Sequence, residues 1–506
     1  MRKFLLLVIG FFILMALIIA GPKTNDSINW GTSPEMNPPH LSLLPNETST
    51  FANVPAISSL DWQTQGTEIH SPEFFSSGVP WAREISGSKS VSIDQFVRTT
   101  DGGFVMAGET EALHYGWYDY DGLCVKFNAS GKVVWKKEYG GYKNEWLDFI
   151  LQTQDNGLLL VGSSQTDNHY NKKYDAWVVK TNATGDIMWK KWLRHQFPQT
   201  QGLNYDSGFD RAIQTSDGGY LLAGQAEFGG QGEDRVLMKI DALGNLIWEK
   251  LYETEDDDGS SARLVPTNDG GYLLCCYCGS TTTMDFRLLK VDSLGTPVWQ
   301  KTYGEARFDF VSDLIAHKNG GFVFAGYTQQ AYDSNSRDAW VVRLDEGGNI
   351  VWQKKYRGAK DDSFSSIQQT KDGGFIAAGR TNSFSSTDDA WVVKLSATGK
   401  IRWQYRLIDN DTEGATKVLQ TPENKYVVAG YVRDNSNVSK SFLHQLSSTG
   451  LSGCPNMSIA TKAITLGAQI SVTSQQVTLK ENYEVVYNNS SIISKTAKLK
   501  VNDGCK

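Results

Sequence analysis

Around residue 209 the apolar and polar positions alternate in short runs broken by turn residues. "FDRAIQT" (Phe209 to Thr215) is followed by Ser-Asp-Gly-Gly and then by the aliphatic "YLLAG" (Tyr220 to Gly224). Further on, "GNLIWEKLY" (Gly244 to Tyr252) opens on a glycine and closes on an aromatic residue. Short runs of this kind, bounded by Gly, Asn, Asp and Ser, predict β-strands, and no segment sustains a helical period. The Asp-Gly-Gly step predicts a tight hairpin, because Gly accepts positive φ and Asp bonds its own backbone.

The same pattern returns along the chain. Its turn falls at Asp101-Gly102-Gly103, Asp155-Asn156-Gly157, Asp217-Gly218-Gly219, Asp269-Gly270-Gly271, Asn319-Gly320-Gly321 and Asp372-Gly373-Gly374, and in decayed form at Glu423-Asn424-Lys425. Successive spacings are 54, 62, 52, 50, 53 and 51 residues. Each unit adds an Asp-Ala-Trp-Val-Val-Lys run, clearest at Asp175 to Lys180, Asp338 to Arg343 and Asp389 to Lys394. A last strand follows, with Trp four residues after a Gly (Trp135, Trp189, Trp248, Trp299, Trp352, Trp403). Four strands at a period near 50 suggest a propeller or a solenoid. The tryptophans predict packing between neighbouring sheets.

The ends distinguish the two architectures. The last unit carries Cys454 where its fourth-strand Trp belongs, while "WAREISG" (Trp81 to Gly87) matches "WKKEYGG" (Trp135 to Gly141) as an orphan fourth strand. Joining them would close a ring and remove open sheet edges. The expected fold is all-β: a seven-bladed β-propeller of four-stranded antiparallel blades over 80–454, closed by the N-terminal strand. Residues 1–20 read as a signal peptide or membrane anchor and 21–79 as a linker rich in Ser, Thr, Asn and Pro. Residues 455–506 read as a small C-terminal β appendage.

The combination of Thr-x-Asp-Gly-Gly-aromatic, Asp-Ala-Trp-Val-Val-Lys and Gly-x-x-x-Trp resembles the repeats of secreted β-propeller proteins of archaea and bacteria. The resemblance spans about three quarters of the chain and implies an architecture rather than an activity.

Charge and composition narrow the function. A net charge of −7 without a basic block excludes a nucleic-acid partner. Met1-Arg2-Lys3 followed by the 17 apolar residues Phe4 to Ala20 predicts export, so the chain is expected to be secreted or at the cell surface. A membrane contact would come only through that segment if it stays uncleaved. Asn-x-Ser/Thr triplets, among them those at Asn128 and Asn182, suit a glycosylated surface. In an oxidising compartment Cys454 and Cys505, which bracket the C-terminal segment, are candidate disulfide partners. Cys124, Cys275, Cys276 and Cys278 sit in strand-like runs and read as small buried side chains.

The loops that would form one rim in units 1 to 3 are aromatic. Tyr115, Trp117, Tyr118, Tyr120, Trp146, His169, Tyr170, Tyr174 and Tyr205 are candidate ligand-binding residues, with rings to stack on a glycan or peptide. Seven positions before each turn stand small or polar residues suited to a wet channel, including Asp94, Asp148 and Asp210. Those three carboxylates are candidate ligands for a hard cation such as Ca²⁺; no other cofactor is expected. Thr-x-Asp-x-Gly partly resembles the Asp-box of sialidases, but Met106, Leu160 and Leu222 stand where its Trp belongs. "IDALGNLIW" resembles the tryptophan-docking motif of quinoprotein dehydrogenases, one residue short. No nucleophile–base set or paired His at metal-ligand spacing is present. The leading expectation is a non-enzymatic module binding glycan or extracellular protein. The alternatives are a polysaccharide hydrolase using rim carboxylates and a structural envelope component.

Overall fold

The computed structural model describes residues 82–86, 91–114, 117–141, 144–165, 174–196, 207–227, 233–253, 263–280, 283–304, 308–329, 337–384, 386–407, 411–433 and 439–450, and the backbone of six short strands between 464 and 503. The leader, the linker, Trp81, Cys454 and Cys505 lie outside the described residues.

Every regular element described is a strand. After β1 (Ala82–Ser86) come β2 (Val91–Arg98), β3 (Phe104–His114), β4 (Trp117–Phe127) and β5 (Val133–Gly140), which form blade 1. Blade 2 is β6 (Glu145–Gln152), β7 (Leu158–Gln165), β8 (Tyr174–Thr181) and β9 (Ile187–Gln196). Blade 3 is β10 (Ser207–Gln214), β11 (Tyr220–Glu227), β12 (Glu233–Ile240) and β13 (Leu246–Glu253). Blade 4 is β14 (Arg263–Pro266), β15 (Tyr272–Ser280), β16 (Thr283–Val291) and β17 (Pro297–Gly304). Blade 5 is β18 (Phe308–Ala316), β19 (Phe322–Gln329), β20 (Arg337–Leu344) and β21 (Ile350–Arg357). Blade 6 is β22 (Asp362–Gln369), β23 (Phe375–Thr381), β24 (Asp389–Leu395) and β25 (Ile401–Arg406). Blade 7 takes β26 (Thr412–Gln420), β27 (Tyr426–Arg433) and β28 (Ser439–Leu446), and its next strand is β1, antiparallel to β28 with Glu84 opposite Phe442.

The repeated turn explains its two glycines separately. Gly102 sits at φ +83° and its amide donates to the Thr99 carbonyl, closing the hairpin. Gly103 is needed for space: a Cβ there would meet the Phe127 carbonyl oxygen of β4 at 2.2 Å. The Gly of the second strand is also steric. At Gly224 a Cβ would lie 1.9 Å from the Gly208 carbonyl oxygen. Blade 4 carries Cys276 at that place, and its described pairing begins one residue further in, at Arg263 opposite Cys275.

Apolar clusters lie between consecutive blades. Cys124 and Tyr139 of blade 1 pack with Ile150 and Trp177 of blade 2, and Phe286 and Tyr303 of blade 4 pack with Phe324 and Trp340 of blade 5. Val392 and Tyr405 of blade 6 pack with Val428 and Phe442 of blade 7. Ile85, Val427 and Leu443 of blade 7 pack in turn with Phe96 and Phe127 of blade 1. The outer-strand Trp and Tyr clamp the next blade. Tyr139 Oη donates to the Gly185 carbonyl at 2.8 Å and Tyr252 Oη to that of Gly295 at 2.6 Å, while Trp189 Nε1 donates to Ala242 at 3.1 Å. Arg83 of β1 makes the matching reach, donating from Nε to the Gly131 carbonyl of blade 1 at 3.0 Å.

The C-terminal segment contributes short strands, which its alternating runs suggested, at the edges of the blades. Among the described residues its strands do not pair with one another. β29 (Ile464–Leu466) extends blade 5, β30 (Ser471–Ser474) blade 4, β31 (Thr478–Glu481) blade 3, β32 (Glu484–Asn488) blade 2, β33 (Ile493–Thr496) blade 1 and β34 (Lys500–Asp503) blade 7. Among the described residues, six of the four-stranded blades therefore carry a fifth strand on the outer edge. The physical reason is the unsatisfied outer edge of each sheet, which accepts an added strand.

Candidate functional site

At the turn end of the blades the repeated Thr-x-Asp-Gly-Gly motif meets the Lys of Asp-Ala-Trp-Val-Val-Lys. Thr215 Oγ1 and the Gly219 amide donate to Asp217 Oδ1 at 2.5 and 3.0 Å, and Lys239 Nζ reaches Asp217 at 2.9 Å. Lys126–Asp101, Lys180–Asp155, Lys290–Asp269 and Lys394–Asp372 repeat the pair. These lysine side chains are only 3–10% exposed, while the aspartates keep about half or more of their surface in water. The motif is thus a buried-ammonium clamp that ties the first hairpin to the third strand. Blade 5 has Asn319 for the Asp and Arg343 for the Lys, and Arg343 turns to the Gly320 carbonyl and His317.

The clamp has a pH signature. Thr215 and Lys239 hold Asp217 at about 2, and Lys290 and Thr267 do the same for Asp269. At Asp101 and Asp372 burial pushes the other way, but bonds from the Lys and Thr outweigh it and the result is again about 2. A carboxylate depressed on folding contributes stability above its unfolded value near 4, and that contribution is lost as pH falls through the folded value. The clamp's contribution to thermal melts is expected to be full down to about pH 4 and to be lost between about pH 4 and 2. A variant with Asp217→Asn and Asp269→Asn should show a shallower drop, and an unchanged acid limb would refute the clamp's contribution.

At the opposite end, β4, β6 and β8 bring three of the expected aromatic residues together. Tyr120 and Trp146 stack with centroids 6.4 Å apart and planes 28° from parallel, and Tyr174 meets Trp146 edge-on at 5.0 Å. Tyr120 is 37% exposed. Asn144 joins the two blades beside the rings: its Oδ1 accepts from the Tyr120 amide at 3.0 Å and its Nδ2 donates to Gln165 Oε1 at 2.9 Å. Trp177 Nε1 donates to the Trp146 carbonyl at 3.0 Å, fixing the backbone under the central ring. Trp117 and Tyr118 are placed by register alone, opposite His114 and Leu113. Their side chains, and those of Tyr115, His169, Tyr170 and Tyr205, lie outside the described residues.

Beneath this patch is an acidic pair that sequence reading missed. Glu145 and Asp121 are 4% and 1% exposed. Burial first, then the charge of Asp121, pushes the Glu145 carboxyl up to about 8, although Gly141 N and Ser164 Oγ donate to it. The arrangement recurs between blades. Asp285 is raised to about 6 by burial and by Asp309, and Asp362 is raised by burial with Asp338 nearby. One member holds the Asp position of the Asp-Ala-Trp-Val-Val-Lys run and the other stands at the start of the next inner strand, ten residues ahead of its turn. That shared position was the available signal. Recurrence at three blade junctions marks the pairs as part of the blade interface.

The candidate cation ligands fall on β-bulges. The register of the innermost strands shifts at Asp94, Asp148 and Asp210, and also at Ser312, Ser365 and Thr416. Asp148 accepts from Ser163 Oγ at 3.4 Å, and Arg211 feels Arg263, Asp210, Asp313 and Asp148. The side chain of Asp94 is outside the described residues. Among the described residues no group of three or more His, Cys, Asp or Glu is placed to hold a metal ion. The residues following the bulges form the network instead. Asp313 Oδ2 of blade 5 accepts from Lys417 Nζ of blade 7 at 2.8 Å, and from Ser366 Oγ and the Ile367 amide of blade 6 at 3.1 and 3.0 Å. Arg263 Nε donates to the Ser312 carbonyl at 2.6 Å. A bulge re-aims side chains, which a strict alternation cannot anticipate.

Cys124, Cys275 and Cys276 are buried as expected. Asn128 and Asn182 each close a turn through Oδ1, a place held by Asp241, Asp292 and Asp345 in other blades.

Residues 337–446 match the family model described as outer membrane protein assembly factor BamB. No curated protein matches the chain. Among solved structures, Sqt1 from Chaetomium thermophilum is 11% identical, with 69% of this chain and 82% of that one covered and a TM-score of 0.38. A protein of unknown function from Dyadobacter fermentans is 12% identical, with 72% and 97% covered and a TM-score of 0.38. The polysaccharide lyase Uly1 is 10% identical, with 70% and 90% covered and a TM-score of 0.40. The antiparallel four-strand repeat and the matched repeat family together make this chain a β-propeller repeat protein.

Proposed function

We propose that the chain is an exported, non-enzymatic seven-bladed propeller, closed by β1 in blade 7, that binds glycan or extracellular protein on the rim between blades 1 and 2. The observation that carries the reading is the contiguous Tyr120–Trp146–Tyr174 patch with the Asn144 and Gln165 amides beside it. Rings offer stacking area at low entropic cost, and amides select hydroxyl or peptide groups. The pairing of β1 with β28 and the cluster joining blades 7 and 1 support closure. The apolar leader supports export.

Glycan-array and pull-down binding with Trp146→Ala provides the test. We expect a loss of at least about tenfold in affinity, the scale of one hot-spot aromatic residue, with a melting temperature close to that of the parent. Full binding by a folded Trp146→Ala protein would overturn the reading. A hydrolase is the second reading, favoured by one observation: a carboxyl raised to about 8 beneath the patch, next to Asp121. Turnover of polymeric sugars that Glu145→Gln abolishes without changing the melting temperature would move the assignment to catalysis.

A further inference from the structure

The C-terminal strands follow a register rule. In each outer strand, the residue four after the repeated Trp position faces one residue of the C-terminal segment: Tyr356–Thr465, Tyr303–Val472, Tyr252–Leu479, Leu193–Tyr487, Tyr139–Ser494 and Ile85–Val501. The partners advance by 7, 7, 8, 7 and 7 residues while the blades run 5, 4, 3, 2, 1, 7. One blade is missing from that series. Blade 6 has four strands, and among the described residues nothing pairs with the outer edge of β25.

We propose that residues 457–460 of this chain occupy that edge, antiparallel to β25, with Ser458 opposite Leu407, Ile459 opposite Arg406 and Ala460 opposite Tyr405. One seven-residue step before Thr465 is Ser458, and Leu407 is the residue four after Trp403. Chain continuity agrees. Gly450, the last described residue of blade 7, lies so close to Trp403 of β25 that a Cβ would meet the ring at 2.6 Å. The described part of blade 7 thus ends beside β25, and the next described strand, from Ile464, lies on blade 5. Seven facing positions from Ser458 to Val501, separated by six steps of seven or eight residues, then serve seven blades, and the chain's own tail straps every outer edge. A bare edge would present unpaired backbone groups to any passing strand; an occupied one does not.

Residue-resolved hydrogen exchange on the full chain provides the test. The outward amides of Ile401–Arg406 are expected to exchange as slowly as the strap-facing amides of β21. Ser458→Pro with Ala460→Pro should speed exchange at least tenfold in β25 alone. As a position control, Ser494→Pro should act on β5 and leave β25 slow, which separates loss of one strap from general unfolding. Fast exchange of the outward β25 amides in the parent chain would overturn the proposal. So would protection that survives the double proline variant, or that grows with protein concentration and thereby identifies a second copy as the occupant.

Discussion

Trp177→Ala is expected to lower the stability of the fold by about 3–5 kcal/mol, the range for removing a large buried aromatic side chain, and to weaken ligand binding at the rim. Trp177 is fully buried. It packs with Cys124, Tyr139 and Leu147 across the interface of blades 1 and 2, so its loss opens a cavity between two sheets that cannot easily collapse. Its indole also holds the Trp146 carbonyl, and without that bond the central ring of the patch loses its support. Urea denaturation measures the first effect and titration of the array-identified ligand the second. Trp177→Phe separates them: it retains much of the volume but not the donor, so it should recover most of the stability and little of the binding. Equal recovery of both would show that the hydrogen bond does not matter to the rim.

The second large effect is expected at Asp313. Its carboxylate is 10% exposed and gathers Lys417, Ser366 and the Ile367 amide from two other blades. Burial alone would raise its pKa, but Lys417 and the Ile367 amide bring it below the usual carboxylate value. Asp313→Ala removes the common acceptor and leaves the partly buried Lys417 ammonium without its carboxylate, at a cost of about 3 kcal/mol, since breaking a buried pair from one side is the costly case. Lys417 is 30% exposed, and water therefore softens the effect. The double change Asp313→Ala with Lys417→Met should return about half of the loss. A single variant as stable as the parent would show that the network is incidental.

Much of this architecture was legible because the turn chemistry is local. Asp-Gly-Gly reports a hairpin wherever it stands, and the orphan "WAREISG" run matched a missing fourth strand without reference to coordinates. The clamp was harder. Its Lys and Asp lie 22–25 residues apart in most blades, and only the joint change to Asn319 with Arg343 hints that they meet. Tyr120, Trp146 and Tyr174 were singled out as aromatic, but their mutual contact depends on which blade ends adjoin. The network around Asp313 was missed because a bulge passes the central position from one residue to the next. The C-terminal strands were recognised as strands, yet a four-residue alternating run says nothing about its partner. Only the seven-residue step across the whole tail carries that information.

Blade 7 draws its sheet from widely separated parts of the chain, since β1 and β34 lie side by side with Glu84 facing both Phe442 and Asn502. On a ribosome β1 must therefore wait, without its blade partner, until β28 has emerged more than 350 residues later. Premature release would leave a hydrophobic ribbon available to neighbouring chains. A product stopped before Lys500 cannot finish that sheet.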